Sequence, residues 1–476
     1  MEAINQTRAP AEMASSPTEL SRPFYFIVVV WGERFRNFLL ELCLPTLLSA
    51  RNIPALNTRP RSKFLVCTRP EDWAAMQAAP IFQLLQRYVD PVYLEIPACP
   101  AGVLACLHMG IGHRRACELA YAAKAYAFVL TPDVMFSDGT VERLQELARQ
   151  GAELALAPAL RFAEEPLFAQ LQQHGISSCG RQNRGEPMSI GNRELVRAAL
   201  ASMHTETRTY EWDAPCFCHS PSAVWWRVPG EDGIVLHSLS WAPLLIDFAA
   251  VARHDISTFD DWTLDGDYVF RNLGQSKHIH VVSDSDEIFM ASWAPASDRP
   301  RDLRPQWVLR KPLLGSLGRQ QRFNAAFYSG SHDPLKQEIF FTAVRWHVHP
   351  LNETWAATER HALRTLLSCV APPTAAAKNM DQFGGDTQSR SHALPIHLRW
   401  LQIRVGGLRA ANVLLRPATR SFLVLRWLYR NRKAANRHIA QMVQGDALTW
   451  KRTGWRIRQG VHYVLGRRFN EPEPGI

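Results

Sequence analysis

Three acidic side chains in this chain come directly after apolar segments. Asp133 follows residues 127–130, and Asp284 and Asp286 follow residues 279–282. A hard cation such as Mg²⁺ or Mn²⁺ binds oxygen ligands and takes only one or two protein carboxylates. These positions are therefore candidates for a divalent cation site, and Asp133 is also a candidate to bind a sugar hydroxyl. Each could instead be a helix cap or a solvated acidic turn.

Asp265 and Asp267 flank a glycine just before an apolar helix start. Either carboxylate could act as a general base that takes a proton from an acceptor hydroxyl, or it could cap the helix. His237 follows an apolar, strand-like segment. A histidine there could bind a metal ion, contact a phosphate or simply be a satisfied, partly buried side chain. We treat the two acids as catalytic candidates and His237 as a further metal-ligand candidate.

Cationic side chains provide a candidate anion site. His113, Arg114 and Arg115 open a segment, 113–124, whose composition predicts a helix. A helix N-terminus is a ready site for an anion such as a diphosphate. Cations there oppose the helix dipole, so a structural reason for them is harder to find. Arg69 follows the second predicted strand and could serve the same anion.

The elements that position these residues follow from the hydrophobic pattern. Strands and helices alternate over the first part of the chain, which is typical of a mainly parallel sheet with helices on both faces. Such proteins bind ligands outside the carboxyl ends of their strands. The predicted strands lie at residues 24–30, 62–67, 91–96, 127–130 and 152–160.

Composition predicts five parts along the 476 residues. These are a disordered leader at 1–22, an α/β catalytic domain at 23–300, a helical extension packed on it at 301–370, a flexible linker at 371–394 and a basic amphipathic helical segment at 395–476.

The basic charge is concentrated in the last segment. Residues 396–476 contain 16 Lys and Arg against three Asp and Glu, whereas the other residues carry a net charge of −3. Arginines alternate there with aromatic and aliphatic residues, which suits an anionic membrane surface but is also compatible with a solvated basic face. No nucleic-acid-binding motif is present.

The rest of the composition indicates a cellular compartment. No apolar run approaches the ~20 residues that a membrane helix needs. Nine scattered cysteines do not form a disulfide pattern, which favours a reducing environment. We therefore expect a cytoplasmic protein, peripheral at the inner face of a membrane.

A family resemblance follows from three stretches. Trp31-Gly32 after the first strand, Val129-Leu130-Thr131-Pro132-Asp133 and Asp265-Gly266-Asp267 together resemble the GT-A glycosyltransferases. The resemblance implies a GT-A-like, mainly parallel sheet flanked by helices, with helical C-terminal additions. In that family an Asp-x-Asp motif after the fourth strand binds the donor diphosphate through a metal, and Asp133 matches one acid of it.

The resemblance further implies a transferase that moves a sugar from a nucleotide sugar to a hydroxyl of a glycan or lipid-linked acceptor, in bacterial surface glycan synthesis. The cofactor would be Mg²⁺ or Mn²⁺, and Asp265 or Asp267 would be the base. The donor-binding set would be Trp31, Arg69, His113, Arg114, Arg115 and Asp133, and the metal set Asp133, His237, Asp284 and Asp286.

Two other functions fit the same pattern. The chain could be a non-catalytic, GT-A-like scaffold of a polysaccharide apparatus. It could also be a sugar-phosphate nucleotidyltransferase, although Trp31-Gly32-Glu33-Arg34 is a poor version of the Gly-rich basic loop of that class. The chain has no P-loop, no GxGxxG after the first strand, no GxSxG and no HExxH motif, which argues against common NTPases, Rossmann dehydrogenases and α/β-hydrolases.

Overall fold

The computed structural model describes most of the chain up to residue 370. The predicted linker, the basic segment and all but the last four residues of the leader lie outside the described residues, as does Asp265. The described ranges are 19–100, 102–173, 185–214, 216–218, 221–260, 262–264, 266–299, 301, 303, 319–320, 322–324, 326–327 and 334–370.

The strands form one central sheet and two small ones. In chain order they are β1 (Phe24–Val29), β2 (Lys63–Thr68), β3 (Asp90–Glu95), β4 (Tyr126–Leu130), β5 (Val134–Phe136), β6 (Leu154–Pro158), β7 (Arg161–Ala163), β8 (Ala223–Arg227), β9 (Gly233–Ser238), β10 (Trp241–Asp247), β11 (Ile279–Val281), β12 (Met290–Ala294) and β13 (Val344–His347).

The central sheet has seven strands in the order β11-β6-β10-β4-β1-β2-β3. All neighbours are parallel except β10, which runs antiparallel to both β4 and β6. Helices flank this mostly parallel sheet, so the predicted α/β class is confirmed and the architecture is consistent with a GT-A-like fold.

The first strand shows why the central strands are continuously apolar. Every residue of β1 is buried. Tyr25, Ile27 and Val29 face one hydrophobic core, and alternate residues, including Phe26 and Val28, face the other. A strand covered on both faces has no solvent-exposed side to make polar. The predicted strands therefore coincide with observed ones to within a few residues.

The helices are α1 (Glu33–Phe38), α2 (Leu44–Leu47), α3 (Pro70–Gln77), α4 (Pro80–Leu85), α5 (Ala105–Ala122), α6 (Thr140–Arg149), α7 (Glu164–Gln173), α8 (Asn192–Ala201), α9 (Thr205–Arg208), α10 (Gly266–Leu273), Pro334–Phe340 and Glu353–Val370. A π-helical segment, Leu39–Cys43, joins α1 to α2. No described helix has both the length and the apolar composition needed to cross a membrane.

The predicted start of α5 at His113 is wrong, because the helix begins eight residues earlier. Gly110 and Gly112 lie inside it, although glycine disfavours helix interiors. Close packing requires them. A Cβ at Gly112 would lie 2.8 Å from the Cβ of Cys67, and one at Gly110 would lie 2.6 Å from a backbone oxygen of Trp262.

Two three-stranded sheets complete the described fold. One has the order β5-β12-β7, so a short strand, rather than a turn alone, follows Asp133. The other has the order β13-β9-β8. Its strand β13 comes from the predicted helical extension, whose helix Glu353–Val370 is the expected helical addition.

Candidate functional site

The strand order of the central sheet reverses beside β1. The chain moves from β1 to β2 and β3 on one side, and β4 then pairs with the other side of β1. Ligands of open α/β sheets bind outside the carboxyl ends of the strands at such a switch point. Trp31 and Gly32 follow β1, and residues 131–133 follow β4, so these two loops border the expected crevice.

Asp133 is half-buried at the end of β4. Burial raises the pKa of Asp133, although a hydrogen bond from Thr131 and the charges of Arg161 and Arg34 act in the opposite direction. The ionised form is therefore poorly solvated and lies near two cations. A carboxylate in this position can accept hydrogen bonds from hydroxyl groups of a ligand.

The two cations near Asp133 come from different elements. Arg34 is in the first turns of α1, and its Nη2 lies 2.6 Å from Oε2 of Glu164. The Arg34 side chain is 54% exposed and that of Glu164 is 16% exposed, so the arginine end of the pair faces solvent. Arg161 is exposed in β7. Both guanidinium groups are accessible to an anion.

A cluster of ion pairs centred on Asp72 lies where β1 and β2 end. Its Oδ2 accepts hydrogen bonds from the Gly32 N–H at 2.9 Å and from Arg69 at 3.0 and 3.1 Å. Its Oδ1 accepts one from Nη1 of Arg36 at 2.8 Å. Burial acts to raise the pKa of Asp72, but the Gly32 N–H and the two guanidinium groups hold it below its usual range.

Sequence reasoning identified Arg69 here but missed Asp72 and Arg36. The sequence did contain a signal for Asp72. It lies three residues after Arg69, in the first turn of helix α3, which follows strand β2. Gly32 has a φ of +79° and nothing within 4 Å of the position of a Cβ. This left-handed conformation favours glycine and turns its N–H toward Asp72.

Trp31 follows β1 at the carboxyl edge of the central sheet. Its ring is half-exposed and meets His108 edge-on, with ring centroids 5.2 Å apart. Nε2 of His108 lies 2.8 Å from the carbonyl oxygen of Pro97. The exposed part of the indole ring is available to a ligand.

The predicted anion site at His113 to Arg115 lacks its helix N-terminus, because these residues lie in the middle of α5. His113 is buried, with Nδ1 2.6 Å from Oγ1 of Thr263, and burial lowers its pKa to about 3. It is therefore neutral at pH 7. Arg114 pairs with Asp260 and Arg115 contacts the Glu95 carbonyl.

Asp284 and Asp286 lie together after β11, as predicted, but their third neighbour is His347. One potential ligand atom from each of the three residues lies within 4.8 Å of the others, so the group could bind a metal ion. Nε2 of His347 is 2.8 Å from Oδ1 of Asp284. Arg193 makes a bidentate pair with Asp286 at 2.9 and 2.7 Å, and it competes with any cation.

Among the described residues, neither Asp133 nor His237 belongs to a group of three or more potential metal ligands. The sheet order explains the separation of Asp133, since three strand spacings, about 14 Å, lie between β4 and β11. His237 is fully buried in β9, with Nδ1 3.0 Å from the Phe340 carbonyl oxygen, and burial lowers its pKa to about 4. It has the geometry of a buried core histidine.

The two predicted catalytic acids are not placed by the structure. Asp265 and the side chain of Asp267 lie outside what the structure describes, although the backbone of Asp267 is in α10. Of the residues that the structure describes, Asp133 and Asp72 both follow strands at the carboxyl ends of the central sheet, and each lies near two arginines.

Comparisons with known proteins give no family. No protein-family model and no curated protein matches the chain. A solved structure from Bacillus anthracis, assigned as a glucose-1-phosphate thymidylyltransferase and bound to sucrose, matches at 14% identity and a TM-score of 0.19, covering 30% of this chain and 57% of that one. TarS of S. aureus matches at 10% identity and a TM-score of 0.21, covering 40% and 38%. At these scores neither structure informs the function.

Proposed function

We propose that this chain is a glycosyltransferase that moves a sugar from a nucleotide sugar to an acceptor hydroxyl. One observation carries the proposal. At the switch point of a mostly parallel sheet, Asp133 lies beside Arg34 and Arg161, and Arg36 and Arg69 are held one strand away by Asp72. A carboxylate for sugar hydroxyls next to several guanidinium groups for phosphate matches the chemistry of a nucleotide sugar.

Each part of the donor has a partner in this arrangement. The diphosphate would pair with the guanidinium groups, and Asp133 would accept a hydrogen bond from a donor hydroxyl. The exposed face of Trp31 would stack on the base or the sugar. Stabilising the charge that develops on the leaving diphosphate is the main electrostatic task, and fixed cations provide it. Asp265 or Asp267 remains our choice for the base that takes the acceptor proton.

The place for the predicted divalent cation is Asp284, Asp286 and His347. Two carboxylates with one imidazole suit Mn²⁺ better than Mg²⁺, which prefers an all-oxygen site. The cations near Asp133 can balance the diphosphate without it, so no step of the transfer is assigned to the metal.

The acceptor and the location complete the proposal. A glycan or lipid-linked acceptor of a bacterial surface polymer would be glycosylated at the inner face of the membrane. The basic charge of residues 396–476 would hold the protein there. Pelleting the full chain with anionic and neutral liposomes tests this, and equal binding to both would contradict an electrostatic attachment.

The decisive experiment compares Asp133→Asn with Glu142→Gln. Glu142 is a half-exposed acid paired with Arg51 on the surface, so its change matches the loss of charge without touching the crevice. A panel of nucleotide sugars is first screened for thermal stabilisation, and transfer is then measured with the donor that binds. We expect Asp133→Asn to lower turnover about 100-fold, the cost of losing a charged hydrogen bond of about 3 kcal/mol.

Glu142→Gln should keep wild-type turnover. Equal turnover in Asp133→Asn and the wild type would rule out the assigned role. Donor binding without any turnover would instead favour the scaffold, and nucleotide exchange between a sugar phosphate and a nucleoside triphosphate would favour the nucleotidyltransferase.

A further inference from the structure

Two arginines share one buried carboxylate at the carboxyl ends of β1 and β2. The Asp72 side chain is only 1% exposed, and those of Arg36 and Arg69 are 20% and 29% exposed. One carboxylate balances one guanidinium charge. The remaining neighbour, Glu71, contacts Nε of Arg69 at 3.1 Å but is 61% exposed, so water weakens its effect. The two guanidinium groups therefore share a single buried counter-charge.

The two guanidinium groups also retain unused donors. A guanidinium has five N–H donors. Arg36 uses only Nη1 toward Asp72, and Arg69 uses Nε and Nη2. With the described residues, the other N–H groups of both side chains make no hydrogen bond. Donors left unpaired on two partly buried cations are suited to the oxygens of an anionic ligand.

We propose that Asp72 is a positioning residue that holds Arg36 and Arg69 side by side as a binding pair for the phosphoryl oxygens of a diphosphate. Its bond from the Gly32 N–H fixes the loop after β1 in the same unit. Asp72 itself does not bind the ligand, because an ionised carboxylate has no hydrogen-bond donor to offer a phosphoryl oxygen and repels its charge. The choice of a diphosphate rests on the proposed function, whereas the pairing of the arginines does not.

A competing role for Asp72 gives the opposite result. A carboxylate that only neutralises its neighbours would oppose anion binding, so Asp72→Asn would strengthen binding by removing a negative charge. A carboxylate that positions the two guanidinium groups would have the reverse effect, because the side chains lose their common anchor. The sign of the change in affinity therefore separates the two roles.

The test uses the full chain and inorganic pyrophosphate, with binding measured by calorimetry at low salt. We expect Asp72→Asn to bind about tenfold more weakly than the wild type, the effect of one charged hydrogen bond. The matched control is Asp247→Asn, another carboxylate paired with arginine but at the opposite edge of the sheet. It should bind pyrophosphate as the wild type does. The basic segment 396–476 is the same in all variants, so their difference reports on the cluster.

Arg69→Lys keeps the measurement informative if Asp72→Asn does not fold. Lysine keeps the charge but loses the bidentate contact with Asp72, so the proposal expects about tenfold weaker binding and a pure charge effect expects no change. Unchanged or tighter binding in either folded variant would overturn the proposal, as would a wild-type protein that binds no pyrophosphate. Weaker binding in the variants of a protein with no transferase activity would uphold it and overturn only the proposed function.

Discussion

Arg–Asp ion pairs occur at both ends of the strands of the central sheet, but they differ in how they are built. We call the side where the parallel strands begin the amino edge and the side where they end the carboxyl edge. At the amino edge, Asp247 at the end of β10 pairs with Arg22, which precedes β1, through both carboxylate oxygens. Arg22 also donates to the Tyr126 hydroxyl and to the Lys124 carbonyl, and its guanidinium lies 4.0 Å from the Tyr126 ring centroid. At the carboxyl edge, Asp72 is shared by Arg36 and Arg69, whose remaining donors make no hydrogen bond within the described part of the chain.

The difference supports our proposal that the carboxyl edge binds the ligand. One arginine on one carboxylate, with both of its Nη groups also bonded to neighbouring protein oxygens, is a closed structural unit. Two arginines on one carboxylate are an open unit that a further anion can complete. The open unit lies at the carboxyl edge, next to the switch point, where α/β proteins bind ligands.

The largest expected effect on stability belongs to the closed unit. Asp247→Asn leaves the partly buried Arg22 without its counter-charge, which should lower the free energy of unfolding by about 2–3 kcal/mol. Donor transfer should not change, since the amino edge takes no part in binding. Urea unfolding and a transfer assay on the same sample check both results. A loss of transfer as large as that in Asp133→Asn would break the comparison.

A smaller effect concerns acid stability at the open unit. The pKa of Asp72 is lowered in the folded protein, so its ionised form stabilises the fold above the unfolded-state value of about 3.9, and this is lost as the pH falls through the lower folded pKa. Asp72→Asn should therefore be less stable than the wild type at pH 7, by about 1–2 kcal/mol. The difference should shrink below pH 4. Unfolding curves at pH 7, 5 and 3 would contradict this if the gap widened in acid.

The smallest effect is expected at the group formed by Asp284, Asp286 and His347, which follows β11 at the carboxyl edge. Mn²⁺ that binds Asp284, Asp286 and His347 should raise the unfolding temperature only slightly, because Arg193 already occupies Asp286. Asp286→Asn should abolish the shift, and Asp232→Asn, a change at an exposed acid outside the group, should keep it. A shift that persists in Asp286→Asn would place the metal elsewhere.

The sequence predicted the strands and the position of Asp133, because continuous apolar runs such as 24–30 can only be buried strands here. It could not predict the order in which the strands lie side by side in the sheet. The insertion of β10 between β4 and β6 moves Asp284 away from Asp133, and long-range pairing of this kind leaves no local signal. His347 was missed for the same reason, since β13 brings it to Asp284 from 63 residues away. The predicted helix at 113–124 is shorter than α5 because Gly110 and Gly112 disfavour a helix in the sequence, whereas the fold needs them for close packing.

The pairing of β13 with β9 has a practical consequence for recombinant production. β13 covers β9 from Gly233 to Leu236, and Trp355 of the following helix packs so closely on Gly233 that a Cβ there would lie 2.3 Å from its ring. A fragment cut at residue 300 would uncover an apolar strand edge, which recruits other chains. Expression designs that end after residue 370 retain this cover. Designs that end at residue 300, the predicted end of the α/β domain, should yield inclusion bodies.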